Sequence, residues 1–197
     1  MYDGFWRGGD GPRTAPMKAA SSAGNAKRIP LLLAAMFTLH CTRKLRDRIK
    51  ADLAPPKPGD TLLGNWHATA LFWKPQVTLL VSESTLLPVL MPLAPSGTLA
   101  RRFPTQLALV LKAHGIGADA IAQEIWRMDE VTYAKTANRS LVGMLNEFSF
   151  LADCWRPRFG EDLVVLSQKL AETPCGPLRK GPISPDRALW EAMNAGA

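Results

Sequence analysis

The residues best suited to hold a ligand lie in one short segment, YAKTANRSLVGMLNEF at 133–148. Strand-like alternation ends at Lys135 and helical spacing of apolar residues begins near Asn138, which predicts a strand, a short turn and a helix. A helix N-terminus presents unpaired backbone N–H groups and the positive end of its dipole, and both attract anions. The sequence therefore predicts a site for phosphate, a nucleic-acid backbone or an acidic partner, with candidate residues Lys135, Thr136, Asn138, Arg139 and Ser140.

A simpler role is open for the same turn. Thr136 or Asn138 would make a good N-cap, because a short polar side chain accepts hydrogen bonds from the first free N–H groups of a helix. Lys135 and Arg139 would then pair with nearby carboxylates such as Glu130. Capping and anion binding are compatible, so the sequence leaves both roles open.

Two polar residues follow on the predicted helix. Asn146 stands seven positions after Arg139, which puts the two on nearly the same helix face, and Glu147 is its neighbour. They would form a polar groove, or they would fix the helix against the hairpin. The sequence does not separate these two roles.

A histidine and a glutamate at the ends of a predicted hairpin form a further candidate pair. A tight hairpin with its turn near Pro75 would bring His67 and Glu83 roughly opposite each other. Such a pair could act as general acid and base. A histidine with satisfied hydrogen bonds at a strand end is the structural alternative. The sequence contains no nucleophile motif, phosphate-binding loop or dinucleotide fingerprint to accompany the pair.

The excess positive charge is confined to the start of the chain. The 197 residues include 24 Lys and Arg and 17 Asp and Glu, a formal net charge of +7. Residues 1–35 carry +3, residues 36–50 carry +4, and the remainder is neutral. A basic helix that includes Arg43 and Lys44 could meet nucleic acid or an acidic protein. Leu45 and Ile49 are spaced equally well for an ordinary amphipathic helix with a solvated basic face.

Cysteine and histidine usage argues against a metal site and a disulfide framework. Cys41, Cys154 and Cys175 are far apart, form no CxxC pair and have no histidine at zinc-site spacing. We therefore expect buried free thiols, a reducing compartment, no metal and no cofactor. The apolar run at 29–39 is too short to span a bilayer, and small residues do not precede Cys41 as a cleavage site requires. We expect a cytoplasmic protein without membrane contact.

Apolar spacing predicts the elements that would position these residues. Strands are expected over 37–41, 63–73, 77–83, 85–93 and 130–135, and helices over 42–50, 98–114, 118–127, 138–155 and 160–171. Pro88 and Pro92 favour an edge strand over 85–93, with a short helical turn as the alternative. This order predicts an α+β fold, with a small, mainly antiparallel sheet of about four to five strands packed against helices.

The predicted domain covers only part of the chain. Residues 36–171 form a single α+β domain in this interpretation. Residues 1–35 are rich in Gly, Ala, Ser and Pro, and are interpreted as a disordered tail or an over-long translation start before Met36. Residues 172–197 are interpreted as a Pro/Gly-rich C-terminal tail. Trp66, Trp73 and Trp126 are expected in the core.

Four segments together resemble a known family. FTLHCTRKLRDRIK at 37–50, LGNWHATALFW at 63–73, SESTLLPVLMPLAP at 82–95 and YAKTANRSLVGMLNEF at 133–148 resemble an uncharacterised bacterial domain of unknown function over roughly 36–171. The last segment, with the pattern YAKTxNRSxxGxxNxF, is the most specific. Some members of that family are joined to a plasmid-type ORF-3 domain. The resemblance implies no established activity and therefore no catalytic residue.

Three functions are consistent with these observations. The first is a non-enzymatic module that binds nucleic acid or another anionic ligand at the Lys135–Ser140 turn. The second is a protein–protein interaction domain that adds the edge strand at 85–93 to a partner's sheet. The third is a small enzyme of unknown reaction, with His67 and Glu83 close to the turn. The sequence leaves the oligomeric state open.

Overall fold

The computed structural model describes residues 36–159 and 162–194, so the predictions made for residues 1–35 lie outside the described part. The strands are β1 (Met36–Cys41), β2 (Trp66–Leu71), β3 (Val77–Ser82), β4 (Pro88–Pro92) and β5 (Glu130–Lys135). The helices are α1 (Arg43–Ile49), α2 (Leu99–Ala113), α3 (Ala118–Trp126), α4 (Arg139–Phe159), α5 (Leu163–Ala171) and α6 (Pro185–Asn194). Short 3₁₀ turns lie at Ser96–Thr98 and Gly176–Leu178.

The five strands form one sheet in the order β4-β3-β2-β1-β5. β1 runs parallel to both of its neighbours, so that Cys41 pairs with Ala68 of β2 on one side and with Lys135 of β5 on the other. β2, β3 and β4 form an antiparallel meander. The α+β class is confirmed. The sheet is mixed rather than mainly antiparallel, because α1 returns the chain to start β2 alongside β1 and β5 is added in parallel on its other edge.

Each face of the sheet carries its own apolar core. On one face, the aromatic side chains of Phe37, Trp66 and Phe103 are in contact, and Leu45 of α1 is buried with them. On the other face, Leu79 and Val81 of β3 pack with the buried stripe of α4 and with α5. The helices therefore cover both faces, with α1 and α2 on the first and α4 and α5 on the second. The buried stripe of α4 consists of Leu141, Met144, Leu145, Phe148 and Ala152.

A buried glutamate joins α3 to the loop before β2. Glu124 is fully buried, and its carboxylate accepts hydrogen bonds from the backbone N–H groups of Leu62 and Leu63 at 2.8 and 3.0 Å. Burial raises the pKa of this carboxyl, an effect that its backbone donors partly oppose. The bond to the buried N–H of Leu63 satisfies a donor that would otherwise lack a partner, which gives Glu124 a structural role.

The segment after Glu172 differs from the expected Pro/Gly-rich tail. It contains α6, whose Leu189 and Met193 are buried in the core. The backbone N–H of Cys175 also donates to Ile183 O at 2.8 Å, which closes the loop before that helix. The pattern was missed because the apolar residues of α6 are few and follow a stretch dense in Pro and Gly.

Two expectations about burial are wrong. Trp66 is in the core as expected and Trp73 is half-buried, but Trp126 is 61% exposed at the end of α3. Cys41 and Cys175 are buried free thiols, whereas Cys154 is exposed on α4. Trp126 and Cys154 both lie at helix positions that face away from the sheet. The expectation was wrong because it relied on residue type and not on the position of each residue on its helix.

β4 is an edge strand, as predicted, and its outer edge is occupied by the chain itself. Pro88 and Pro92 have no N–H to donate, and both lie at outward positions of the strand. The third outward residue, Leu90, donates its N–H to Ser167 Oγ at 2.8 Å and accepts from Gln106 Nε2 at 3.0 Å. This edge therefore lacks the free N–H groups that strand addition by a partner would need.

None of the helices within residues 36–159 and 162–194 is both long and apolar enough to cross a membrane.

Candidate anion-binding crevice

The carboxyl ends of β1 and β5 form the centre of the candidate site. These strands are adjacent and parallel, and the N–H of Thr136 donates to Cys41 O at 3.3 Å where they end. α1 leaves β1 toward one face of the sheet, and α4 leaves β5 toward the other. Adjacent parallel strands whose connections diverge in this way create a crevice outside their carboxyl ends, which is where ligands bind in many open sheets.

Asn138 caps α4. Its Oδ1 accepts hydrogen bonds from the N–H groups of Ser140 and Leu141 at 3.0 and 3.2 Å. This is the capping interaction that the sequence allowed for Asn138. Thr136 makes a different contact, described below. The capped N-terminus of α4 therefore lies at the carboxyl end of β5.

Four cationic residues lie at or just after the carboxyl ends of β1 and β5. Lys135 and Arg139 are exposed at the ends of the turn, and Arg43 and Lys44 are exposed in the first turn of α1. Within the described residues, neither Lys135 nor Arg139 has a carboxylate within 4.0 Å, so the expected pairing with Glu130 is not made. Arg43 lies 4.0 Å from Asp47, in an exposed contact that contributes little.

Two stacked histidines lie beneath the turn. The rings of His40 and His67 are 4.4 Å apart and nearly parallel, and His67 Nδ1 lies 3.1 Å from Thr136 Oγ1. His67 is 2% exposed. Burial, with a smaller contribution from His40, lowers the pKa of His67 to about 4. The histidine is therefore neutral at pH 7 and supports the turn that carries the cations.

An open groove of about 480 Å³ continues from the crevice along α4. Lys44 lines it from α1, the end of β2 and the residues after it form its base, and Asn146 and Phe150 line it from α4. Asn146 therefore lines a groove of mixed polar and apolar character, and its role in binding stays a prediction. Glu147 does not line the groove. Burial raises the pKa of the Cys175 thiol, and the charge of Glu147 adds a smaller increase.

The structure separates Glu83 from His67, so the predicted pair is wrong. The hairpin loop spans five residues, from Phe72 to Gln76, and the register pairs His67 with Val81. Glu83 is exposed, and its N–H donates to O of Asn65, two residues before His67, at 2.8 Å. Within the described residues, no hydrogen bond joins the Glu83 carboxylate to His67 or to the turn, so the structure shows no acid–base pair there.

Several residues of the site were missed by the sequence reading. His40 lies in an alternating strand pattern, and its stacking on His67 depends on the pairing of β1 with β2. Phe72 and Phe150 are 55% and 68% exposed at the groove, although their type suggested core. Position 150 could have been assigned to the surface, because it lies four residues after Asn146 and off the buried stripe of α4.

Within the described residues, no group of three or more His, Cys, Asp or Glu side chains is arranged to hold a metal ion.

The fold defines a class of protein: an α+β domain with a mixed five-stranded sheet in which exposed cationic residues follow two adjacent parallel strands. A family model described as "Domain of unknown function (DUF6933)" matches residues 38–188, and the chain belongs to this family. The expected resemblance to an uncharacterised domain family is thereby confirmed. Comparisons with curated proteins and with solved structures found no match. The YAKTxNRSxxGxxNxF signature and the ORF-3 association stay predictions.

Proposed function

We propose that this protein is a non-enzymatic binding module that holds a phosphate-bearing ligand, nucleic acid in the first place, at the crevice between β1 and β5. The observation that carries the proposal is the grouping of Arg43, Lys44, Lys135 and Arg139 where two adjacent strands end. Neighbouring strands lie about 4.8 Å apart, so these cations start from backbone positions close enough to face one extended anion.

The N-terminus of α4 adds to the attraction. A helix of this length carries roughly half a positive charge at its N-terminus, and Asn138 fixes the turn that presents Lys135 and Arg139. Charge-assisted hydrogen bonds to phosphate are the strongest contacts available to such side chains. The absence of an ion pair at Lys135 and Arg139 within the described residues leaves both free to make them.

The test is fluorescence anisotropy with a labelled single-stranded oligonucleotide of about 15 nucleotides, within the usual ~4–16-nucleotide site range. The variant K135A/R139A should bind at least roughly tenfold more weakly, since each charge-assisted contact contributes on the order of 1 kcal/mol. The control, R101A/K112A, removes the same two residue types from exposed positions on α2, which packs on the face of the sheet opposite α4. Both variants keep residues 1–35 and their charge.

Equal weakening by both variants would contradict the proposal, because the binding would then depend on total charge and not on the crevice. A poly-glutamate probe in the same assay distinguishes an acidic protein partner. If poly-glutamate binds more tightly than the oligonucleotide and K135A/R139A abolishes that binding, the crevice serves an acidic partner and the nucleic-acid proposal fails.

A further inference from the structure

We propose that the groove beside the crevice binds the unpaired bases of a single-stranded nucleic acid, which stack on Phe72 and Phe150. This inference rests on the proposed function, since the crevice would hold the phosphates of the same strand. Beyond the proposed function, it specifies that the nucleic acid is single-stranded and names a second set of residues that contact its bases. The groove is lined by Lys44, Phe72, Trp73, Asn146, Phe150 and Asp153, together with smaller residues at its base.

The exposed aromatic rings are the first observation. Phe72 is 55% exposed and Phe150 is 68% exposed, yet both border one groove on the same side of the molecule. Single exposed apolar side chains are common on protein surfaces, but large ones that are exposed next to each other often mark a binding surface. Every base has an aromatic face, so stacking on such rings holds single strands with little regard to sequence.

Positive charge accompanies the rings. The Arg48 guanidinium lies 5.3 Å from the centre of the Phe72 ring, and that of Arg156 lies 4.8 Å from the centre of the Trp73 ring. Lys44 lines the groove itself. Cations interleaved with exposed aromatic side chains suit a strand whose bases stack while its phosphates pass the positive groups.

The exposed stripe of α4 joins the groove to the crevice. Arg139, Gly143, Asn146 and Phe150 are all exposed and recur at spacings of three and four, so they follow one side of the helix opposite its buried stripe. Eleven residues separate Arg139 from Phe150, a distance of about 16 Å along the helix axis. A single nucleic-acid strand can therefore contact the crevice with its phosphates and the groove with its bases.

Gly143 lies in the middle of this exposed stripe, and no packing contact explains why the residue is a glycine. A glycine inside a helix is less favourable than alanine, and a Cβ added here would meet no atom within 4 Å. The protein's own packing therefore does not require glycine at this position. A ligand that approaches the backbone of α4 closely would require it.

A carboxylate at the end of the groove farthest from Arg139 would orient the nucleic-acid strand. Asp153 accepts a hydrogen bond from the indole Nε1 of Trp73 and lies among the groove residues. A carboxylate repels phosphate and accepts hydrogen bonds from the amino groups of bases. The aromatic end of the groove is therefore suited to bases, and the crevice end is suited to phosphates.

The experiment compares two aromatic double variants in the anisotropy assay. F72A/F150A should bind the single-stranded probe at least about tenfold more weakly, because stacking on one ring contributes roughly 1–3 kcal/mol per base. The control W126A/W190A removes two rings that are 61% and 59% exposed on helices of the opposite face, and should leave affinity unchanged. Thermal unfolding of each variant checks that it is folded.

Three additional probes complete the design. A duplex of the same length should bind more weakly than the single strand, because its bases are already stacked with each other. Probes of deoxythymidine and of uridine distinguish DNA from RNA, and binding of either supports the inference. Gly143→Leu should weaken binding without lowering thermal stability, since its side chain would occupy the track of the ligand.

Full affinity in F72A/F150A, with binding still lost in K135A/R139A, would overturn this inference and leave the proposed function intact. Equal affinity for single strand and duplex would overturn it as well. If the unmodified protein binds neither probe, both proposals fail together.

Discussion

Thr136 Oγ1 lies 3.1 Å from His67 Nδ1, and this contact fixes the turn after β5 to β2, two strands away in the sheet. The ring of His40, on the strand between them, stacks against His67. The cationic turn is thus supported from below by two stacked imidazoles, of which His67 is neutral at pH 7. Protonation of His67 would place a charge in a buried site beneath the turn.

Stability should therefore fall in mildly acidic solution. The folded-state pKa of His67 is lowered to about 4, below the ordinary histidine pKa of about 6.5, so the unfolded chain binds the proton more readily. The stabilising contribution is full above pH 6.5 and is lost as the pH falls from about 6.5 to about 4. At about 1.4 kcal/mol per pKa unit, the loss approaches about 3 kcal/mol.

Urea unfolding of the wild type and of His67→Asn across this pH range measures the effect. The asparagine amide can still bond Thr136, but it does not titrate. His114, whose pKa burial also lowers, is present in both proteins, so its contribution cancels in the difference. Parallel stability curves for the two proteins would show that His67 does not titrate as described.

The cap of α4 should be energetically important. Asn138→Ala removes the acceptor of the N–H groups of Ser140 and Leu141, and should lower the free energy of unfolding by about 1 kcal/mol. Asn138→Asp should retain the stability, since its carboxylate caps equally well and interacts favourably with the helix dipole. Asn146→Ala, an exposed change in the middle of the same helix, serves as control. Equal stability of Asn138→Ala and the control would contradict the capping role.

The closed edge of β4 gives a further prediction. Ser167 Oγ accepts from Leu90 N at 2.8 Å and donates to Leu163 O at 2.6 Å. Ser167→Ala should lower the free energy of unfolding by about 1–3 kcal/mol, because it leaves a buried N–H without a partner. Ser149 makes the same kind of bond to the carbonyl of Leu145 but accepts from no strand. Chemical denaturation should therefore show a smaller loss for Ser149→Ala, and equal losses would refute the bridging role of Ser167.

Local periodicity predicted most of the elements in this structure. The apolar spacing of α4 and the alternation of Val131 and Tyr133 in β5 depend on neighbours in the sequence, and both appear as expected. The polar turn and its capping asparagine were also recognisable, because capping is a local property. The pairing of β1 with both β2 and β5 depends on contacts distant in sequence, and no local pattern contains it.

The site shows the same division. The approximate position of Lys135 and Arg139 followed from the strand–turn–helix pattern, but their placement at the same end of the sheet as Arg43 and Lys44 required the order of the strands. The predicted opposition of His67 and Glu83 failed because the hairpin loop is centred on Lys74 and not on Pro75, which shifts the register by two residues and makes Val81 the partner of His67. Phe72 and Phe150 were unpredicted because burial is a tertiary property of an aromatic residue.

The most direct measurement of the central claim is the dependence of oligonucleotide affinity on salt. Each phosphate contact on a single strand contributes about 0.7 to the slope of log affinity against log salt concentration. K135A/R139A should therefore reduce the slope by roughly 1.4, while R101A/K112A should leave it unchanged. A slope that is the same in the wild type and in K135A/R139A would contradict an anion-binding crevice at the ends of β1 and β5.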